Sequence, residues 1–356
     1  IDEIQDSAKV YSLIRQFARE FSCDFIITGS YLGKTLSREY FQPVGDLDIM
    51  ILDTLTFEEF LDAEGKRDLY NSVDLYGKSS HEAYDELKRY YDLYCQIGGY
   101  PAVVKTYLET RDMEICQTEL DRVIHIFTEE SQGYFDNVLD INLFGQLLPA
   151  VAQTMIREKK GSVDLITELS KIVYKQESSR LSKKSINQAI AWLYRSHILD
   201  FCGKANDCNP TDISANSRFY FLDVGVCRSF LDMAGADLPT LRGIVNENFV
   251  YIDLLKRVRS RKISGTAPIF GLYKEGEIDF LVNSRENYKT YGVEVKSGKT
   301  EGKTAQLLLK DEKVEAVYFL KGDTYGGIAD RKVTVPIYLV GRMQFDFVKE
   351  HTPVSS

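Results

Sequence analysis

Two carboxylates and one lysine near the C-terminal end of the chain have the types and spacing needed for metal-dependent hydrolysis. Asp279 lies in the strand-like run EGEIDFLV, and Glu294 and Lys296 lie in YGVEVKSGK. Residues two apart on a strand point to the same face, and an adjacent antiparallel strand would bring Asp279 to that face. Carboxylates hold Mg²⁺, and a lysine can orient water and stabilise developing negative charge.

The elements around these residues strengthen that interpretation. A helix carrying Glu247 (RGIVNENFVYIDLL) precedes the two strands, and a second helix with Gln306 follows them. The arrangement resembles the PD-(D/E)xK nuclease core. The resemblance implies Mg²⁺ as cofactor, Glu247, Asp279 and Glu294 as its ligands, and Lys296 as the catalytic cation. The alternative is an amphipathic strand whose charged side chains face solvent.

Two adjacent acids, Asp2 and Glu3, follow an apolar residue at the start of the sequence. After one helix comes the strand-like run FIITGS, which ends in Ser30. In a P-loop ATPase, the first acid of such a pair holds Mg²⁺ and the second polarises the attacking water. The alternative is a solvated helix N-terminus, where acids interact favourably with the helix dipole.

The order of these motifs resembles a prokaryotic family of AAA-superfamily ATPases with a C-terminal domain of unknown function. The motifs are IDEIQ at 1–5, IITGS at 26–30, LTFEEFL at 55–61 and GGYPAVV at 98–104. The resemblance implies an ATP·Mg²⁺ site and a homo-oligomer. In that site Asp2 holds the metal, Glu3 is catalytic and Ser30 senses the nucleotide.

Two departures from this family limit the prediction. No phosphate-binding loop GxxxxGK[ST] precedes the acidic pair, and GSYLGKT at 29–35 has three residues between its glycines where the motif has four. PVGDLD at 43–48 stands where the family more often has a Gly-Arg pair. We therefore expect this sequence to hydrolyse ATP poorly, and ATP to bind only where an upstream loop supplies the phosphate contacts.

Charge places limits on nucleic-acid binding. The formal net charge is −9, so any DNA contact must come from a local basic patch. One helix-turn-helix with a wing is predicted around KKSINQAIAWLYRSHIL, where Asn187, Gln188 and Arg195 are the polar candidates. A cluster of five cations follows the Glu247 helix and is the predicted nucleic-acid surface: Lys256, Arg257, Arg259, Arg261 and Lys262.

Composition and patterning set the organisation of the chain. Apolar residues make up 44% of 356, no run is long enough to span a membrane, and the six cysteines form no CxxC pair. We expect a cytoplasmic protein with reduced thiols. The predicted fold class is multi-domain α/β. The domains are a partial P-loop (AAA) sheet at 1–55, a helical lid at 56–140, a winged helix at 141–215 and a PD-(D/E)xK-like domain at 216–356.

Three functions are compatible with this organisation. The first is an AAA-family ATP-binding protein that couples nucleotide state to a DNA- or partner-binding C-terminal region. The second is a Mg²⁺-dependent DNA nuclease that uses Asp279, Glu294 and Lys296. The third is a non-catalytic module that binds DNA or a partner protein.

Overall fold

The computed structural model describes residues 1–29, 48–133, 143–157, 165–176, 183–296 and 302–347. Within these ranges there are twelve α-helices and eight β-strands. The helices are α1 (Ala8–Glu20), α2 (Phe57–Ala63), α3 (Arg67–Ser72), α4 (His81–Ile97), α5 (Pro101–Thr110), α6 (Met113–Gly133), α7 (Leu143–Arg157), α8 (Leu165–Gln176), α9 (Lys183–Arg195), α10 (Val224–Met233), α11 (Leu238–Arg259) and α12 (Lys303–Lys310). The strands are β1 (Leu199–Ala205), β2 (Ile213–Phe221), β3 (Ile269–Tyr273), β4 (Gly276–Asn283), β5 (Thr290–Lys296), β6 (Val317–Lys321), β7 (Gly327–Ala329) and β8 (Lys332–Pro336).

The strands form one mixed sheet in the order β2-β1-β3-β4-β5-β6-β8-β7. Strands β3, β4 and β5 are antiparallel neighbours, whereas β5, β6 and β8 are parallel. Helix α12 connects β5 to its parallel neighbour β6, as a parallel connection requires. The α/β class predicted from the sequence is confirmed, and the predicted runs RFYFLDV, APIFGLY, EIDFLV, YGVEVK and AVYFL overlap β2 to β6.

The predicted strand VPIYLV is wrong beyond its first two residues. Strand β8 ends at Pro336, and residues Ile337–Arg342 form a 3-10 helix. Ile337, Tyr338, Leu339 and Val340 are all buried. A strand turns successive side chains to opposite faces, so four buried neighbours in a row fit a helical turn sunk into the core better than a half-exposed strand.

Helix α10 was not predicted, because its apolar run follows β2 directly and reads as a continuation of the strand. Asp223 separates the two elements. Its side chain accepts a hydrogen bond from Val226 N at 3.0 Å, which is an N-cap interaction. An acid placed immediately before an apolar run was therefore the missed helix signal.

The predicted wing is part of the main sheet. Strand β1 follows α9 and pairs antiparallel with β2, as a wing hairpin would, but it also pairs in parallel with β3 through Gly203–Ala205 and Ile269–Gly271. The predicted boundary between residues 215 and 216 falls inside β2. The winged-helix segment and the nuclease-like segment thus share one sheet.

The helices predicted between residues 56 and 127 are present as α2 to α6. Thr56 caps α2 with a full capping box, in which Thr56 Oγ1 accepts from Glu59 N and the Glu59 carboxylate accepts from Thr56 N. The predicted break at Gly98-Gly99-Tyr100-Pro101 separates α4 from α5, which has Pro101 in its first turn.

The first 28 residues contain the predicted helix α1 and a short parallel backbone pairing. Ser7 caps α1 by accepting from Val10 N at 3.2 Å. Ile1 N donates to Ile26 O, and Thr28 N donates to Ile1 O, both at 2.9 Å. This exchange on either side of residue 27 is the hydrogen-bond pattern of two parallel strands.

The strand predicted at 46–52 does not form in its described part. Residues 48–52 are irregular, and Ile49, Met50 and Leu52 are 78%, 91% and 96% exposed. A strand needs a hydrogen-bonded neighbour and a surface to cover its apolar face. Residues 48–52 make no backbone hydrogen bond to any other described segment. Alternating apolar residues were therefore insufficient to define a strand here.

One large apolar core joins the helices to the sheet. It runs from Phe57 in α2, through Phe144 in α7 and Tyr251 in α11, to Phe345 after the last strand. A second, smaller core lies between α12 and the sheet, around Ala305 and Leu308. Across the described ranges, no helix has the length and apolar character needed to cross a membrane.

Candidate active site

Strands β4 and β5 bring Asp279 to Glu294. Their antiparallel register pairs Phe280 with Val293, so the next positions along the two strands are Asp279 and Glu294. The Asp279 side chain accepts a hydrogen bond from Val295 N at 2.7 Å. The Asp279 carboxylate therefore replaces a main-chain carbonyl as the acceptor at the end of the β4–β5 pairing, and it lies against β5.

Glu294 and Lys296 share one face of β5, as their spacing predicted. Lys296 Nζ lies 2.6 Å from Glu294 Oε1. The Glu294 side chain is 5% exposed and that of Lys296 is 35% exposed, so the acid lies deeper than the base. The ion pair therefore lies at the boundary between the core and solvent.

The second oxygen of Glu294 is poorly satisfied. Oε2 is buried and accepts no hydrogen bond of normal geometry from a described residue, although the Asp279 backbone N–H lies close enough to the carboxylate to lower its pKa. Buried carboxylate oxygens are normally hydrogen-bonded, because an unsatisfied one costs about 1–3 kcal/mol. A poorly satisfied anionic oxygen beside a second carboxylate is an arrangement that a cation would satisfy.

Glu247 on α11 approaches the pair from the helical side. Its Oε1 accepts from the Tyr220 hydroxyl, and Arg218 NH1 lies 3.4 Å from the same oxygen. The Glu247 charge contributes to the raised pKa values of Asp279 and Glu294. The structure therefore places all four predicted residues in one electrostatic environment.

Burial dominates the protonation behaviour of this group. It raises the pKa of Asp279 well above its ordinary value, and the Glu294 and Glu247 charges add to that rise. Burial also raises the pKa of Glu294, against the hydrogen bond and charge of Lys296. Burial lowers the pKa of Lys296, but the Glu294 hydrogen bond and the surrounding acids outweigh it, so the net change is upward. Negative charge is in excess here.

Asp279 and Glu294 are suited to hold a divalent cation between them. A third carboxylate does not converge on the same point. Mg²⁺ is commonly held by one or two protein carboxylates with water completing its shell, and Asp279 with Glu294 Oε2 meets that requirement. In the described ranges, no three Asp, Glu, His or Cys side chains are arranged to hold an ion. Glu247 as a direct metal ligand stays a prediction, since Tyr220 and Arg218 already engage it.

Arg218 was not recognised from the sequence. Its side chain is only 6% exposed and lies between two acids, with NH2 3.0 Å from Glu277 Oε2. The guanidinium also lies 3.9 Å from the centre of the Phe270 ring, a cation–π contact. A charged residue inside the apolar run RFYF was the available signal, because a buried arginine needs carboxylate partners.

Helix α12 begins beside the carboxylates. Gly302 is its N-cap, and a Cβ at that position would lie 2.9 Å from Glu294 Oε1. The first turn also packs under the turn between β3 and β4, where Thr304 lies against Gly276. Glycine at 302 therefore lets the main chain approach Glu294 closely.

Residues 88–237 match the family model of a domain of unknown function, DUF8612. No curated protein and no solved structure matches the chain. The matched residues run from within α4 to just beyond α10 and include Arg218. Asp279, Glu294 and Lys296 lie outside them.

The matched residues also contain a junction centred on Asp223. Its carboxylate accepts from Gly99 N at 2.8 Å as well as from Val226 N, and Leu55 N donates to Gly99 O at 2.8 Å. Burial raises the pKa of Asp223, and the Gly99 and Val226 hydrogen bonds oppose that rise. The glycine pair thus ties the segment before α2 to the start of α10.

The five predicted nucleic-acid cations have different environments. Arg257 pairs with Asp253 at 2.6 Å, and Arg259 makes a two-pronged contact with Asp53 at 2.8 and 2.9 Å. Lys256 is half-buried, and burial lowers its pKa. Arg261 and Lys262 are exposed. Intramolecular contacts therefore occupy Arg257 and Arg259, and binding by the five cations stays a prediction.

The predicted nucleotide site is described only in part. The Asp2 carboxylate accepts from the Thr28 hydroxyl and from Glu3 N, and these bonds lower its pKa. Glu3 accepts from Gln5 and has a left-handed backbone, with φ of 47°. Ser30 lies outside the described residues. The proposed roles of Asp2, Glu3 and Ser30 remain predictions.

Proposed function

We propose that this chain is a metal-dependent nuclease with a PD-(D/E)xK-like site. The observation that carries the proposal is the buried Glu294 carboxylate, which pairs with Lys296 through one oxygen and leaves the other, near Asp279, without a side-chain partner among the described residues. A buried anion of this kind is costly in a purely structural role, because well-packed apolar residues would be as stable or more so.

The residues divide the chemical work as follows. Asp279 and Glu294 would hold Mg²⁺, which supplies Lewis-acid stabilisation of the phosphate and lowers the pKa of bound water. Lys296 is half-exposed at the mouth of the site, where its ammonium can orient a water molecule and stabilise charge on a phosphate oxygen. Tyr220 and Arg218 fix the rotamer of Glu247, so that its charge stays directed at the pair.

The test is cleavage of plasmid and single-stranded DNA in Mg²⁺ or Mn²⁺. We expect Asp279→Asn and Lys296→Met to lower the cleavage rate by more than about 100-fold, as loss of a transition-state contact does. Glu275→Gln is the control, since Glu275 is exposed on the turn before β4. Metal-dependent cleavage that survives Asp279→Asn would refute the proposal and favour the non-catalytic DNA- or protein-binding module.

A second function is supported by the first 28 residues. We propose that they form part of an AAA-type nucleotide site whose state is passed to the DNA- or partner-binding region. The parallel hydrogen-bond exchange between Ile1 and residues 26–28 supports it, since P-loop ATPases place their acidic strand beside a parallel one.

The nucleotide proposal is tested on the native polypeptide from its own cell. Titration with Mg²⁺·ATP should give saturable binding that Asp2→Asn weakens, and Glu3→Gln should stop hydrolysis while it preserves binding. Native polypeptide that binds no ATP would remove this function. The oligomeric state measured with and without ATP tests the predicted homo-oligomer.

A further inference from the structure

A cleft of about 700 Å³ lies away from the carboxylates, between α9, β1 and the loop that leads from α11 to β3. Asn187 and Tyr194 of α9 form one wall, and Ser264 and Thr266 of the loop form the opposite wall. Phe201 and Asp200 of β1 lie at its base. Its volume is within the range of roughly 300–1,000 Å³ typical of ligand sites, which accommodates one or two nucleotide units but not a duplex.

Tyr194 provides an aromatic surface in this cleft. It is 45% exposed although it lies within a well-formed helix, and its ring centre is 5.6 Å from that of Phe201. Phe201 therefore supports the ring from within the protein. A supported, exposed aromatic ring is the usual platform on which a nucleic-acid base stacks.

Polar groups surround that platform. Asn187 is exposed two turns before Tyr194 on the same helix, and Ser264 and Thr266 are exposed across the cleft. Amide and hydroxyl groups at these positions can bond to base edges and sugars. The acid at the base of the cleft, Asp200, is buried, and burial raises its pKa.

The cations nearest the cleft form no ion pair with another described residue. Arg261 and Lys262 begin the loop that carries Ser264, and both are exposed, but Lys262 lines a separate cleft beside Phe57 and Lys256. In the described part of the chain, neither side chain has an ion-pair partner, in contrast to Arg257 and Arg259. Lys184 is exposed one turn before Asn187 on the other wall. The residues that line the cleft include no cation, so positive charge for a phosphate backbone would come from Lys184 and Arg261, which lie next to lining residues along the chain.

We infer that this cleft binds a single nucleic-acid strand, with a base stacked on Tyr194 and the backbone passing Lys184 and Arg261. A strand bound here would be the substrate of the proposed nuclease, so the biological role of the cleft rests on that proposed function. Binding itself is measured without metal, and so without cleavage.

The experiment is fluorescence anisotropy of a labelled single-stranded DNA of about 12 nucleotides, within the site size of one binding domain, in EDTA with the full chain. Tyr194→Ala should weaken binding about tenfold, as loss of one stacked base does, and Tyr194→Phe should restore it. Tyr288→Ala is the matched control, because Tyr288 is 90% exposed on the β4–β5 turn. Lys184→Gln and Arg261→Gln should each reduce the salt dependence by about one phosphate contact.

Each outcome decides the inference. Absence of binding by the wild-type chain, equal binding by Tyr194→Ala and wild type, or tighter binding of a duplex of the same sequence would overturn it. If strand binding follows Tyr194 but no metal produces cleavage, the inference stands and the nuclease proposal fails. If Asp279→Asn abolishes cleavage while Tyr194→Ala binds normally, the nuclease stands and the cleft does not bind the strand.

Discussion

Glu294 and Lys296 form an ion pair of 2.6 Å in which the acid is almost fully buried and the base is half-exposed. The ion pair involves only Oε1 of Glu294. The other oxygen, Oε2, is buried and has no side-chain partner among the described residues. Asp279 lies against the same strand through its bond to Val295 N. This asymmetry leaves negative charge uncompensated where a cation would be stabilised.

The first prediction concerns stability in the absence of metal. The pKa of Asp279 is higher in the folded chain than its ordinary value of 3.8, so the unfolded chain loses this proton first as pH rises. Ionised Asp279 therefore destabilises the fold above that pH. In EDTA, Asp279→Asn should unfold at a higher temperature than wild type at pH 8, by about 2–4 °C for each kcal/mol gained.

The gain should disappear below about pH 3, where Asp279 of the unfolded chain is also protonated. Differential scanning calorimetry across this pH range measures it. The exposed Glu275→Gln substitution should show no such pH dependence. An Asp279→Asn variant that is less stable than wild type at pH 8 would mean that the carboxylate is already compensated within the chain.

The second prediction concerns the pH profile of cleavage. The positive charge of Lys296 lowers the pKa of both Asp279 and Glu294. Removing it in Lys296→Gln should raise both pKa values and move the acidic limb of the profile to higher pH, since the carboxylates must be ionised to hold the metal. Residual rates at saturating Mn²⁺ measure the limb. A lower rate with an unmoved limb would assign Lys296 to the substrate alone.

The third prediction concerns the junction at Gly99. A Cβ there would lie 2.1 Å from Leu55 O, a main-chain atom that cannot move independently. Gly99→Ala should therefore lower the free energy of unfolding by about 3 kcal/mol, the upper range for overpacking. Gly243→Ala on α11 is the matched control, because nothing lies within 4 Å of its Cβ position. Alanine should stabilise that helix by up to about 1 kcal/mol.

Urea unfolding of both glycine variants tests the junction. We expect the urea midpoint of Gly99→Ala to lie below that of wild type and the urea midpoint of Gly243→Ala to lie above it. Equal midpoints for Gly99→Ala and wild type would show that the contact between Leu55 and Gly99 does not constrain the folded chain.

The sequence predicted the carboxylate site because its signals are local. Glu294 and Lys296 are two residues apart, and Asp279 lies on the strand that turns directly into theirs, so spacing alone placed them on one face. Arg218 lies about 60 residues away, and its approach to Glu247 and Glu277 depends on how β2 and α11 pack. No periodicity encodes such a contact.

The same distinction explains the errors in the fold. Alternation at residues 48–52 predicted a strand, but strand formation depends on a partner that the described ranges do not provide. The wing was predicted from two helices followed by the strand-like run ILDFC, and the parallel pairing of Gly203–Ala205 with β3 depends on residues more than 60 positions later. Helices α1, α2 and α5 were predicted correctly, because helical spacing of apolar residues and the break before Pro101 are local signals that need no such partner. The structure adds the caps at Ser7 and Thr56.

The most direct measurement is isothermal titration of Mn²⁺ into the metal-free chain. We expect one carboxylate-dependent site that Asp279→Asn and Glu294→Gln each remove, while Glu275→Gln retains it. Binding at that site should also raise the unfolding temperature, because the ligand binds only the folded state. If Mn²⁺ binds wild type and Glu294→Gln alike, or binds neither, the buried oxygen of Glu294 is not a cation site, and the metal-dependent account is contradicted.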